Sequence, residues 1–430
     1  MNVGRGARRG VGPRREAVRD PFCREPSVVK LDELDYDLPE ELIAQVPCEP
    51  RDSSRLLVAT GAAERLRLAD RRFRDLPALL DSGDVLVRND TRVIPARAHF
   101  HKPTGGRVEL LFVERLRYGA VGGAADGGAR ARADAAVRGA ACDAAPAPSP
   151  DTWEVLARGR LRGGELLRSE AAPEAFAVEV GERLGEGRFR VRPAAGVAVP
   201  LAQLLALYGE TPLPPYIKTP LDDPERYQTV YARLRGSAAA PTAGLHFTAP
   251  LDEALRAAGV TIEHLTLHVG LATFKPVTVE RVEDHPLHEE PFVVDRAVWE
   301  RIATARAAGR RVVAVGTTMV RLLEELGRRA AGPVSNVAEP DWNIAEPDRA
   351  RPGVLEGRTR LFITPAYEFR TVDGLITNFH LPRTSLLALV MALCGVDETK
   401  RIYAHAIAQR YRFYSFGDAM LAWRGEEASP

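Results

Sequence analysis

Residues 264–290 hold four histidines and five carboxylates. Within this block, His285 and His288 stand among Glu283, Asp284, Glu289 and Glu290. Imidazole titrates near neutral pH, and a neighbouring carboxylate tunes and orients it, so this mixture suits general acid–base chemistry. His285, His288 and Glu290 are the candidate proton-transfer residues, although a solvated acidic loop has the same composition. His264 and His268 lie four apart in an extended run and share a face. Zinc normally needs a third protein ligand of settled geometry, so no metal site is read from them.

Three further segments could hold a ligand. Gly316-Thr317-Thr318 follows the apolar run 311–315 and opens a helical stretch; its backbone N–H groups and positive helix end suit an anion or a hydroxyl. The segment 377–385 places Asn378 and His380 between a strand and a helix, with Thr384 or Ser385 as the expected N-cap. Residues 240–247 bring Gly244, His246 and a hydroxyl together ahead of a helix opened by Thr248 and Pro250. A plain capping turn explains each of these loops nearly as well.

These segments need strands to carry them. Runs at 84–87, 260–269, 311–315 and 374–377 read as strands, and 319–326 and 385–394 as helices, the latter closed by Gly395. Strands alternating with helices imply an α/β sheet, largely parallel and covered on both faces. Ligands then belong at the carboxyl ends of its strands. Residues 99–197 differ: short, partly alternating runs separated by glycines indicate an antiparallel sheet or small barrel. It is interrupted at 119–150, where 19 of 32 residues are Ala or Gly, too few large apolar side chains to hold a fold of their own. A helix start is expected at Leu38-Pro39-Glu40-Glu41.

The 430 residues suffice for two domains, and 45% hydrophobic with 27% charged residues is ordinary for a packed protein. Four dispersed cysteines without CxxC spacing argue against a disulfide framework and fit a reducing, cytoplasmic setting. No apolar run is long enough to span a bilayer. Residues 1–27 carry seven Arg against three acids and read as a disordered basic arm without a secretory or twin-arginine signal. Only five of the 59 basic residues are Lys, so Lys218 and Lys275 stand out as candidate positions where Arg does not substitute, although chance survival explains them as well.

Taken together, 89–97, 212–217, 227–231, 240–247, 266–270, 283–290, 313–321, 377–382 and 411–420 resemble, in order, the S-adenosylmethionine:tRNA ribosyltransferase-isomerases of queuosine biosynthesis. Leu271-Ala272 departs from the two small residues usual there, and 1–27, 119–150 and 330–358 look peculiar to this lineage. The resemblance implies a three-layer α/β domain (28–98 and 198–430) with an inserted small antiparallel β-barrel domain (99–197). It implies transfer of the ribosyl part of S-adenosylmethionine, a cosubstrate rather than a bound cofactor, onto 7-aminomethyl-7-deazaguanine at the wobble position of tRNAs with GUN anticodons. Epoxyqueuosine forms, and adenine and methionine leave. Such chemistry needs a base for the C5′ proton beside sulfur and an acid for adenine.

The substrate-binding residues expected are His246, His268, Gly270, Thr273, Phe274, Gly316, Thr317, Thr318, Asn378 and His380. Arg92, Arg97 and Arg321 would meet tRNA phosphates, and Phe274, Tyr411 and Phe413 could stack on the flipped base. No membrane partner is expected, and the enzyme is expected to be a monomer. A Rossmann RNA methyltransferase is the alternative, but the Gly-rich loop it requires is missing.

Overall fold

The computed structural model describes residues 30–116, 151–270, 279, 281–282, 285, 289–331 and 353–424. The chain begins with β1 (Arg55–Thr60), β2 (Arg67–Arg72), β3 (Val85–Asn89) and β4 (Thr91–Val93). Six strands follow: β5 (Arg97–His101), β6 (Arg107–Arg115), β7 (Trp153–Arg158), β8 (Leu166–Ser169), β9 (Ala177–Gly185) and β10 (Arg188–Pro193). Next come α1 (Leu201–Tyr208), β11 (Leu234–Ser237), α2 (Ala249–Ala257), β12 (Thr261–Leu267), β13 (Glu290–Asp295) and α3 (Arg296–Ala307). The last third carries β14 (Val312–Val315), α4 (Thr317–Ala330), β15 (Val354–Thr359), β16 (Gly374–Asn378), α5 (Ser385–Cys394), α6 (Val396–Ala408) and β17 (Ala419–Trp423).

Among the described residues nine strands form one sheet in the order β15-β13-β12-β3-β14-β16-β17-β1-β2. Its centre, β12-β3-β14-β16, is parallel. Of these, β3, β14 and β16 are buried along their whole length, which explains why they read as short, largely apolar runs rather than alternating ones. Successive residues feed opposite cores. Val85, Val87, Val312, Ala314 and Leu375 pack with α4 and α5, whereas Leu86, Val313, Val315 and Ile376 pack with Phe247 and with Leu251 and Leu255 of α2. The result is the expected three-layer α/β arrangement.

The sheet is less parallel than its central runs suggest. β13, β15 and β2 lie antiparallel to their neighbours, and β17 runs antiparallel to β16 while parallel to β1. Nothing in the local sequence marks Ala419–Trp423 as an inserted strand; only its pairing with β16 on one side and with the distant β1 on the other makes it one. The expected helix near Leu38 shrinks to one 3-10 turn, Glu40–Leu42, because Ile43 is extended and bridges to Phe413. Tertiary pairing overrides local propensity there.

The six strands β5 to β10 close into an antiparallel barrel. Phe100, Phe112, Trp153 and Phe176 fill it, and Leu201, Leu204 and Leu205 of α1 join its core. The Ala/Gly segment 119–150 and the basic arm fall outside the described residues. Among the described residues no helix is long and apolar enough to cross a membrane.

Candidate active site

β14 and β16 pair in parallel, with Val315 beside Ile376, so the loops that leave them emerge side by side. Gly316 takes φ 87°, a left-handed conformation that other residues rarely adopt, and turns the chain directly into α4. Its N–H donates to the Ile376 carbonyl at 2.8 Å, tying the two exits together. Over them opens a pocket of about 650 Å3, open solvent at its mouth included. Gly316, Thr317 and Thr318 form one side, and Thr377, Asn378 and His380 a second. Residues 240–243, Val269, Tyr216 and Tyr414 complete the wall. The first turn of α4 therefore presents its N-terminal, electropositive end to the cavity.

The wall behind Asn378 is a neutral hydrogen-bond network. Thr242 Oγ1 donates to Asn378 Oδ1 at 3.0 Å, and Asn378 Nδ2 lies 3.2 Å from His246 Nε2. His246 Nδ1 in turn meets Ser54 Oγ at 2.8 Å, and Phe73 stacks on the ring with centroids 4.9 Å apart. An amide N–H can only donate, so Nε2 is the acceptor and Nδ1 carries the proton. Burial, with the Arg412 and Arg51 charges nearby, pulls the His246 pKa down to about 3 and keeps the ring neutral.

His380, at the pocket edge, is likewise lowered to about 3 by burial. Its Nε2 lies 2.8 Å from Thr377 Oγ1, its N–H donates to Tyr403 Oη at 3.0 Å, and its carbonyl accepts from the Tyr36 hydroxyl. Opposite, Tyr216 and Tyr414 approach to 4.8 Å between ring centroids, and the Tyr216 hydroxyl shares a 2.7 Å hydrogen bond with Ser415 Oγ.

An ionic cluster flanks this pocket at Val269. Glu290, the first residue of β13, accepts from the Gly270 N–H at 3.1 Å and pairs with Arg321 of α4. Arg321 Nε donates to the Leu361 carbonyl at 2.9 Å. Both side chains are buried, 4% exposed for Glu290 and 8% for Arg321.

Residues 31–422 match the sequence family described as queuosine biosynthesis protein. This chain belongs to that family. Relatives named S-adenosylmethionine:tRNA ribosyltransferase-isomerase include one from Rubrobacter xylanophilus, 47% identical over 92% of this chain and 98% of its own. Another, from Symbiobacterium thermophilum, is 45% identical over 91% and 99%. A crystal structure titled S-adenosylmethionine tRNA ribosyltransferase, from Thermotoga maritima, is 31% identical, covers 91% of this chain and 99% of its own, and has a TM-score of 0.45.

Of the site residues expected for a queuosine-family chain, five line one pocket: Gly316, Thr317, Thr318, Asn378 and His380. His246 stands behind Asn378. His268 Nδ1 shares a 2.8 Å hydrogen bond with Thr91 Oγ1, and its ring lies within about 3 Å of where a Cβ on Gly236 would sit. Its former pair-mate His264 lies 3.0 Å from Arg88 Nη2, a guanidinium that occupies the lone pair a metal would need. His285 is placed near Phe362, with ring centroids 6.3 Å apart. Thr273, Phe274 and His288 lie outside the described residues.

Three expectations need correction. Arg321 is ion-paired inside the protein, not available to a phosphate. Tyr411 and Phe413 are fully buried, so neither ring face can receive a base. Arg55 covers Tyr411 at 3.7 Å, and its hydroxyl donates to Asp70 at 2.5 Å; Phe413 packs on Phe379. The pocket-facing ring of that segment is Tyr414, held at φ 71°. Arg92 stays near the surface, paired with Glu225, while Arg97 Nη2 donates to the Leu213 carbonyl at 3.1 Å. Thr242 is the hydroxyl expected in the 240–247 segment, whereas Tyr216 and Ser415 were not singled out. Tyr216 and Ser415 sit in segments that carry the resemblance, and that was their only signal.

Proposed function

We propose that this protein transfers and isomerises the ribosyl moiety of S-adenosylmethionine onto 7-aminomethyl-7-deazaguanine in tRNA, forming epoxyqueuosine with release of adenine and methionine. The family membership and the names of relatives that match over most of the chain support this reading. The observation that carries it to a place is the convergence of the β14 and β16 exits on one pocket at the N-terminus of α4.

In this reading the donor's carboxylate or ribose hydroxyls lie against Thr317, Thr318 and the N–H groups opening α4. Tyr216, Phe379 and Tyr414 give the pocket an apolar, aromatic side for adenine. Asn378 orients a polar edge of the substrate, with His246 behind it. Removal of the C5′ proton and protonation of adenine fall to His285 and His288, which follow Gly270 in sequence and combine residue types suited to both steps. Arg92 and Arg97 supply phosphate contacts for the tRNA. The protein works in the cytoplasm, where its tRNA substrate is, and as a monomer.

The test is incubation with S-adenosylmethionine and precursor-containing tRNA. Release of adenine together with methionine is expected; S-adenosylhomocysteine as the product would replace this reading by methyl transfer. His288→Ala is expected to lower single-turnover rates at least about tenfold with tRNA affinity retained, as loss of one general acid–base group would. An unchanged rate removes His288 from the chemistry.

A further inference from the structure

The buried pair Glu290–Arg321 joins three elements at the pocket's rim. Val269, a pocket residue, is held from one side by Ser237 and Ala238. Its N–H donates to Ser237 Oγ at 2.8 Å, and its carbonyl accepts from the Ala238 N–H at 3.1 Å. From the other side the next residue, Gly270, donates its N–H to Glu290 Oε1 at 3.1 Å. The second oxygen of Glu290 pairs with Arg321, which sits one turn along α4 from Thr317 and Thr318. Arg321 also reaches the Leu361 carbonyl, just after β15. One continuous set of contacts thus runs along this side of the pocket, from the β11 exit to Val269, from Gly270 to Glu290, and from Glu290 to Arg321 on α4.

We infer that Glu290 and Arg321 form a positioning pair, which fixes the Val269–Gly270 wall against the N-terminus of α4 and so sets the width of the donor pocket. Glu290 is then neither the general base nor the acid of the reaction, and Arg321 is not a tRNA contact. Three features support this. One oxygen of Glu290 accepts from the Gly270 N–H and the other pairs with the Arg321 guanidinium, so both are already engaged by protein donors. Arg321 spends Nε and Nη1 on protein partners and has its Nη2 buried, so no donor faces a phosphate. Both residues act from the edge of the cavity without lining it.

The inference rests on the proposed reading of this pocket as the S-adenosylmethionine site of a ribosyl transfer, which titration of a Leu386→Trp variant tests separately. Wild-type release of adenine with methionine tests that reading first, and calorimetric binding of S-adenosylmethionine follows the pair independently of turnover. The experiment compares Glu290→Gln, Arg321→Gln and the double variant, with folding followed by thermal melting. Glu290→Gln keeps an acceptor for Gly270, so it is expected to weaken S-adenosylmethionine binding about tenfold while both limbs of the pH–rate profile persist. Arg321→Gln leaves a buried carboxylate unpaired and is expected to be worse. The double variant, with no buried charge, is expected to bind better than Arg321→Gln alone, and it keeps the test open should that single variant fail to fold. Loss of a limb of the pH profile in Glu290→Gln would restore Glu290 to proton transfer. Weakened tRNA binding with unchanged donor affinity in Arg321→Gln, or a double variant as poor as the product of the singles, would equally overturn the pair.

Discussion

The two flanks of the pocket are built from opposite materials. Behind Asn378 the groups are neutral: a hydroxyl, an amide, an imidazole lowered to about 3 by burial, and a second hydroxyl. Beside Val269 they are charged, and Glu290 and Arg321 compensate each other out of solvent. A neutral network fixes direction, because each donor must face an acceptor, and losing one member strands only dipoles. A buried ion pair fixes distance with more force, but losing one partner strands a whole charge. The pocket thus has a neutral, hydrogen-bonded flank and a charged, ion-paired one.

The comparison breaks most visibly at the ionic side. Arg321→Gln is expected to cost about 3 kcal/mol of stability, the scale for uncovering one buried charge, readable as a lower midpoint in denaturant. On the neutral side, His246→Ala removes the acceptor for Asn378 Nδ2 and the partner of Ser54. About 2 kcal/mol is expected, with turnover falling more than tRNA binding because the amide loses its fixed orientation. Equal losses from the two variants would erase the distinction.

A pH scan sharpens it further. The folded-state pKa of His246 lies below its unfolded value, so the unfolded chain binds the extra proton first. The stability it contributes is complete above about pH 6.5 and is lost as pH falls toward 3, by at most about 1.4 kcal/mol per pH unit. His246→Gln is expected to flatten the melting-temperature curve between pH 6.5 and about 4. His380, shifted the same way by burial, adds a parallel slope that this variant leaves in place. The smallest effect belongs to the surface: Arg92→Ala, which breaks an exposed pair with Glu225, is expected to lower tRNA affinity by only a few-fold.

How much of this was legible in the sequence depended on distance along the chain. Gly316-Thr317-Thr318 and Asn378-His380 could be read locally, because strand, turn and cap signals fall within a dozen residues and their exits must lie on one rim. The helix 385–394 and its Gly395 stop were equally local. β17, Tyr216 and Ser415 were not, since each is brought to the sheet or pocket only by partners far off in sequence. The choice of Tyr411 and Phe413 over Tyr414 failed for a finer reason. Composition locates an aromatic segment, but which ring faces the cavity turns on one left-handed residue at 414. The pairing of Arg321 with Glu290 was equally illegible, because charge suggests solvent or chemistry and only the folded chain brings the two together.

The account stands on the pocket over β14 and β16 being the donor site. Leu386 lines its mouth and is only half-buried, so Leu386→Trp fills space there without entering the core. Calorimetric titration of S-adenosylmethionine into this variant is the most direct test. Affinity should fall at least about tenfold while tRNA binding and the melting temperature stay near those of the unaltered protein. Donor affinity unchanged in Leu386→Trp would mean that S-adenosylmethionine binds elsewhere, and the site proposed here would be wrong.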